Sequence, residues 1–541
     1  NPVSCGAAAA EAAFLPFSLE NGTLTPPSAF TVEGCASPQF SAPPLAQSLS
    51  VAPKQGGSES NFVFTITRPQ GQQYLSQMST KLPPGLVAKI PSVPLCSEAL
   101  ANAGTCPATS AIGATEVASG SGEPFHFKGK VYLTEGYEGA PYGLSIVTPT
   151  EAGPFNFGPI VTRAKINVEK TTAQVEVTIV RSFVQGQNVS GLPTIVGGIP
   201  TRIRSITVAI THPNYIINPT NCSVLNGVTT LGSVVPGLNA TVSTPFQVEG
   251  CASLGFSPKF TANTAGNKAS RANGASLGVK IGYTSGQANI ASVVTTLPKQ
   301  LPSRLTTLQK ACLLATFEAN PFACPKESDV GTVTAVTPTL PGTMKGPAYI
   351  VSRGAQFPDL EFVLQGDGVT IILDGKTNIK NSITTTTFPA NPDVPINSFS
   401  VNLPTGKYSL LAANGNLCKP KLVMPTTLTA QNGKTLKQNT QIAATGCLPI
   451  LKHKVKGHHV TITVKVPQAG RVRFSGEHMG IETRFPKRSQ KVTVTLPLTS
   501  PGGTKALRKH HNNLKVKLRV GFIAKAKNGA SFTSYATVTF H

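Results

Sequence analysis

The chain has 541 residues, of which 40% are hydrophobic and only 13% charged, with 50 Gly, 45 Pro and no Trp. That length predicts about three to four domains, and the composition gives enough apolar side chains for cores and more turn formers than average, below the level of a disordered chain. Lys and Arg number 47 against 23 Asp and Glu, for a net charge of +24, and no apolar window is long enough for a membrane-spanning helix.

Read from its start, the chain opens on Asn1 with no Met and no basic-then-apolar leader, which suggests a processed or partial product and is consistent with export. Cys5 and Cys35 then bracket a segment that returns twice, between Cys222 and Cys251 and between Cys418 and Cys447. In each copy an Asn stands four residues before the first Cys and a Gly directly before the second. Phe30-Thr31-Val32-Glu33-Gly34-Cys35 matches Phe246-Gln247-Val248-Glu249-Gly250-Cys251. Next, Phe62, Phe64 and Ile66 alternate as one face of a half-buried strand. Ser97 to Ala103 reads as a short helix with Ser97 as N-cap and Gly104 as stop, bracketed by Cys96 and Cys106.

The second copy repeats this order. Leu277, Val279 and Ile281 form its alternating strand, Leu313 to Ala319 its helix between Cys312 and Cys324, and Cys324-Pro325 leads to Ser328 and Val330-Gly331 as Cys106-Pro107 leads to Ser110 and Ile112-Gly113. Later landmarks show the second copy to be some twenty residues shorter between the equivalents of Tyr132 and Val208. Asp374-Gly375, between two apolar runs, predicts a two-residue hairpin turn. The paired spacing predicts five disulfides: Cys5 to Cys35, Cys96 to Cys106, Cys222 to Cys251, Cys312 to Cys324 and Cys418 to Cys447. Zinc is the competing reading, but the C-x2-C pairs of a knuckle are absent. Oxidised pairs point to an extracellular compartment.

From Ile450 to the end there are 18 basic residues and only Glu477 and Glu482 as acids. Val460, Ile462, Val464 and Val466 alternate here, and six or seven strand-like runs suit an immunoglobulin-like sandwich. The fold expected is therefore all-β, made of tandem disulfide-pinned immunoglobulin-like β-sandwich modules with very little helix. Residues 1–217 form one repeat and 218–413 a second; 414–541 hold the truncated start of a third, followed by a basic sandwich at 450–541.

The tandem Gly-Cys-Ala-Ser and Cys-Pro-x-x-Ser-x-Ile-Gly blocks and the basic terminal sandwich make nearly the whole chain similar to large secreted tandem-repeat β-sandwich proteins of soil actinobacteria, of the Solirubrobacter and Conexibacter kind. The resemblance implies an exported, surface-associated protein and no particular activity.

Motifs for chemistry are few. G-x-S-x-G and H-E-x-x-H are absent, and Gly368 to Thr377 has two residues too many for a phosphate loop. Glu33, Glu249, Glu361, Asp367 and Asp374 are the carboxylates from which a glycoside-cleaving pair would be drawn, but Glu33 and Glu249 read better as strand-end residues beside a disulfide. His458-His459 and His510-His511 read as solvated basic surface, because neighbouring strand residues point to opposite faces. No enzyme activity, cofactor or metal is expected. Lys452, Lys454 and Lys456 form one outward cationic ladder and Lys515, Lys517 and Arg519 another, suited to an anionic cell-wall polymer or acidic polysaccharide. Nucleic acid is disfavoured by the scarcity of aromatic residues for base stacking.

Two functional readings follow. The first is a secreted structural protein of the cell surface, self-associating into a homopolymer such as a fibre, tube or layer. Cys5 lacks the strand-like run that precedes Cys222 (Ser205 to Ile217) and Cys418 (Phe399 to Leu411); either a neighbouring subunit supplies a strand missing from the first unit, or each run belongs wholly to the module before it, or the chain is longer than shown. The alternative is an adhesin that holds anionic polymer through residues 450–541.

Overall fold

The computed structural model describes residues 5–15, 17, 25–33, 39–266, 269–355, 357–415, 417–418, 421–525 and 531–541. About 56% of the chain is strand and 8% helix, so the fold is all-β, a run of disulfide-pinned sandwich modules. The first two strands, β1 (Gly6–Glu11) and β2 (Pro27–Val32), pair only with each other among the described residues.

The first large module comprises β3 (Ala46–Ala52), β4 (Glu59–Thr67), β5 (Leu75–Lys81), β6 (Ala111–Ser119), β7 (Phe125–Thr134), β8 (Tyr142–Ala152), β9 (Phe155–Val168), β10 (Val175–Val184), β11 (Ile203–Ile210), β12 (Leu225–Ser233) and β13 (Asn239–Phe246). Neighbours run β13–β12–β5–β10–β9–β8–β7–β6–β11–β4–β3. The one seam without a ladder, between β13 and β3, is crossed by the Thr244 hydroxyl donating to the Gln47 carbonyl at 3.1 Å. These eleven strands therefore close a ring.

The second module repeats the plan with β14 (Lys259–Ala265), β15 (Leu277–Gly282), β16 (Ile290–Thr296), β17 (Asp329–Val336), β18 (Met344–Ser352), β19 (Asp359–Gly366), β20 (Val369–Lys380), β21 (Ile383–Phe388), β22 (Ser398–Leu403), β23 (Val423–Ala430) and β24 (Thr435–Thr445). Its order is β24–β23–β16–β21–β20–β19–β18–β17–β22–β15–β14, and the seam that was open in the first module is here a parallel ladder, Ala262 to Ala265 against Ile442 to Thr445. The second module is thus a sandwich of two sheets joined along both edges. In the second, β20 and β24 are the strands that belong to both sheets.

Period-two alternation places one face of each strand inside. Ile66, Phe64 and Phe62 lie opposite Ile206, Val208 and Ile210, while Leu277, Val279 and Ile281 lie opposite Leu403, Val401 and Phe399; all are inward, as alternation requires. Two short helices cover the outer surface. α1 (Glu98–Ala103) begins after Ser97 and stops at Gly104, whose φ of 72° is the left-handed cap expected of glycine; α2 (Leu314–Ala319) is its counterpart. Phe317 of α2 packs with Tyr349, Val351 and Val363 on the outside of β18 and β19, so β19 is buried on both faces from Asp359 to Leu364, with Leu360, Phe362 and Leu364 turned inward and Asp359, Glu361 and Val363 on the covered outer face.

The last module holds β25 (Ile450–Lys456), β26 (His459–Val466), β27 (Gly470–Gly476), β28 (Glu482–Arg484), β29 (Gln490–Pro497), β30 (Leu514–Ala524) and β31 (Ser531–Phe540). Sheet β25–β26–β29 faces sheet β28–β27–β30–β31 across a core that includes Ile462, Val464, Phe474, Phe522 and Phe540. A helix absent from the sequence reading, α3 (Gly502–Lys509), links the sheets.

Three expectations change. Asp374-Gly375 is not a turn: it lies within β20, paired with Leu360 and Glu361. The two-residue turns at either end of β20 are Asp367-Gly368 and Asn381-Ser382, each with positive φ at both positions. Gly375 instead marks where β20 passes between sheets, and a Cβ there would lie 2.6 Å from Phe388. Secondly, the sheets divide the chain later than the repeat boundary at 217/218, because β12 and β13 pair into the first ring through β5. Thirdly, of the readings of the runs before the cysteines, the structure bears out the one that gives each run to the preceding module. The run from Ser205 contributes β11 to the first ring and that from Phe399 contributes β22 to the second, so each belongs to the module before the cysteine.

Candidate functional site

The bracketed segments are hairpins that reach backwards. β12–β13, held by Cys222–Cys251 with sulfurs 2.02 Å apart, fills the first ring; β23–β24, held by Cys418–Cys447 at 2.08 Å, fills the second. The repeated Asn and Gly have local reasons. Asn218 is buried, accepts from the Ser60 hydroxyl and donates to the carbonyls of Pro53 and Gln55, fixing where the chain leaves the first ring. Gly250 and Gly446 adopt φ of 73° and 72°, which a side chain disfavours. Inside the ring, Phe246 is 4% exposed and Val248 2%. Ile442 occupies the Phe246 position in the third copy and is 2% exposed.

The hairpin β1–β2 carries the same Phe-x-Val, yet Phe30 is 45% exposed and nearly every described residue of the two strands is open to solvent. Cys5 is disulfide-bonded; Cys35, its expected partner, lies outside the described residues. Glu249 is exposed beside its disulfide, and its main chain bonds Lys54 and Gly56. The two other pairs, Cys96–Cys106 at 2.04 Å and Cys312–Cys324 at 1.94 Å, pin the helical segments.

The two cationic ladders do not meet. Lys452, Lys454 and Lys456 project from β25, opposite Thr463, Thr461 and His459; Lys515, Lys517 and Arg519 project from β30 in the other sheet, opposite Thr539, Thr537 and Tyr535. They therefore occupy opposite outer faces of the sandwich. Lys465 and Lys491 lie side by side on the first face, and Arg471 and Arg473 extend the second. Among the described residues none of these cations has a carboxylate within salt-bridge distance; the acids of this module pair with His478 and Arg484. Lys517 rests over the Tyr535 ring at 4.7 Å. Neither histidine pair joins a cluster of metal-ligating side chains among the described residues.

Of the carboxylates singled out in the sequence, Glu361 and Asp374 come together as cross-strand partners on β19 and β20. Asp359 joins them, with the three carboxylates within 4.8 Å, and two cations fill the gaps: Arg353 bonds Glu361 at 2.5 Å, and Lys376 reaches Asp359 at 3.0 Å and Asp374 at 2.7 Å. Burial pushes the Glu361 carboxyl up to about 7, with a hydrogen bond to Asp374 raising it further and Arg353 opposing. One proton shared by this pair balances the cluster at two negative and two positive charges, and gives a partner to the otherwise unsatisfied buried oxygens Glu361 Oε2 and Asp374 Oδ1. The arrangement is a neutralised surface network, with both carboxylates committed to neighbours. Asp367 sits apart, accepting from the Gly342 amide in the β19–β20 turn region.

What sequence reasoning missed is inside the rings. A cavity of about 390 Å³ is walled mostly by apolar side chains of both modules, and among the described residues no charged one lines it. Ring size explains it, since a closed sheet of about eight strands is already just filled by its own side chains and larger ones leave interior space. Tyr142 and Tyr215 line the cavity, and burial pushes the Tyr142 hydroxyl up to about 12, so it stays a neutral donor.

No protein-family model matches the chain, and no curated protein matches it. Among solved structures, it is similar to a tetra-tandem repeat in the extending region of a large adhesion protein, at 11% identity over 92% of this chain and 99% of that one, with a TM-score of 0.14. It is also similar to native alpha-2-macroglobulin of E. coli, at 11% identity over 96% of this chain and 33% of that one, TM-score 0.20. An enterococcal surface protein's partial N-terminal region is matched at 10% identity over 73% and 94%, TM-score 0.15. Superpositions this loose carry no argument about what the chain does.

Proposed function

We propose that this is an extracellular structural protein of a cell surface, whose modules are linked by hairpins that each complete the ring of the module before. The observation that carries the reading is the fate of one motif: Phe246 and Val248 are core residues of the first ring, while Phe30, in the same sequence, stands in solvent. β1–β2 is then the closing hairpin for a further module of this kind, one whose ring lacks its own. Each such donation adds main-chain hydrogen bonds along a whole strand and an apolar plug, the mode of strand addition, and the two donations within this chain link its modules in series. Four disulfides hold the donated hairpins and covering helices, as suits an oxidising exterior.

A second reading rests on the unpaired cations of the last module. Two like-charged outer faces attract anionic wall polymer at a distance set by salt, which would fasten the chain at one end. The hairpin reading is tested by complementation. A chain weakened by Phe246→Ala should regain its unfolding midpoint on addition of an oxidised peptide of residues 1–38, and not with the same peptide carrying Phe30→Asp. Failure of the first peptide to bind or to stabilise would remove the equivalence on which the reading stands.

A further inference from the structure

We propose that the cavity shared by the two rings binds a single-chain amphiphile with an uncharged, hydroxyl-bearing head, of which a monoacylglycerol is the simplest example. Its volume of about 390 Å³ falls within the usual range of ligand sites. The walls come from both modules, with Ile112, Leu144 and Ile179 in the first and Val279, Phe362 and Val401 in the second. A compact ligand of that volume would sit in one ring. Lined from both rings, the space suits a ligand that reaches from one into the other, as a flexible hydrocarbon chain does, and apolar walls leave water there with few hydrogen-bond partners.

The head has its own place. A second pocket of about 170 Å³ includes Thr171, Thr172, Asn221, Asp393 and Gln431 in its lining, and shares Asn391 and Pro392 with the apolar cavity. Its lining carries a larger share of polar groups than that of the first. Asp393 there is buried and accepts from the Thr220 amide and hydroxyl, the Asn221 amide and the Asn289 side chain at 2.6 to 2.9 Å. Glu169 stands just behind Thr171 and Thr172, accepting from both. No lysine or arginine lines this pocket among the described residues, so two carboxyl groups with no compensating cation reject an anionic head and leave hydroxyls and amides for a neutral one.

The test uses the full chain, purified without detergent and stripped by organic extraction of anything it carries, with folding checked by circular dichroism. A series of monoacylglycerols of increasing chain length is titrated in. The expected result is binding of one molecule per chain, with affinity rising about fourfold per methylene until the cavity is full and then levelling off. Oleate, which has a charged head on the same kind of tail, should bind at least tenfold more weakly than monooleoylglycerol. Ala335→Leu and, separately, Ala164→Leu fill the cavity from either ring; a folded variant of either kind should lose affinity at least tenfold. The proposal is overturned if the stripped, folded chain takes up none of the series, if affinity ignores chain length, if oleate binds as well as the neutral lipid, or if a folded, filled variant binds unchanged.

Discussion

Glu361 shows how one side chain ties stability to pH. Its carboxyl is fully buried and is held near pH 7 instead of its ordinary 4.5, chiefly by burial. Between those values the folded chain keeps a proton that the unfolded chain has lost, so stability must fall as pH rises through this window; below it both states are protonated and above it neither is. The swing is at most about 3 kcal/mol. Arg353, Asp359, Asp374 and Lys376 are the charged groups that face it, and their pairing sets the baseline. Glu361→Gln mimics the protonated carboxyl and still accepts from Arg353, so it should flatten the slope between pH 5 and 7.5 and gain stability relative to the native chain as pH rises through that range. Denaturant midpoints for both chains across that range check it; an unchanged slope in the variant would place the proton elsewhere.

At the scale of elements, the hairpins set the strongest contrast within the chain. Phe246→Ala empties a core position and should cost about 3–5 kcal/mol. Phe30→Ala, at the same place in the motif, should cost less than about 0.5 kcal/mol, as a surface change does. Urea unfolding of both variants decides the matter, and equal losses would mean that β1–β2 is seated on its own chain. Much of this level could be read from the residues. Alternation gave Phe62 to Ile66 and Leu277 to Ile281 as half-buried strands, the cysteine spacing marked the bracketed segments, and Ser97 with Gly104 bounded a helix. What stayed hidden was direction. Nothing local to Leu225 or Val423 says that the strand pairs with a module already passed, since that pairing depends on β5 and β16 offering free edges some 130 to 150 residues earlier. Asp374-Gly375 misled for a similar reason: the dipeptide favours a turn, but Phe388 and the Leu360 carbonyl crowd Gly375 and hold it at a bend between sheets.

For the molecule as a whole, the placement of charge matters more than its amount. The 18 cations of residues 450–541 were visible in the sequence, and so was the outward direction of each ladder; their division between two opposite faces depends on β25 and β30 falling in different sheets. A single basic face would hold one anionic chain. Two faces on one sandwich can hold two, so the protein should cross-link a phosphate-bearing polymer such as polyphosphate as well as bind it. Mixing should give turbidity at low salt that clears towards ~1 M, where the screening length shrinks to about 3 Å. Replacing Lys515, Lys517, Arg519, Arg471 and Arg473 by Gln leaves the Lys452, Lys454 and Lys456 face intact, so that variant should still bind the polymer in a pull-down and yet give no turbidity. Turbidity retained by the variant, or lost together with all binding, would mean that the two faces do not act as separate sites.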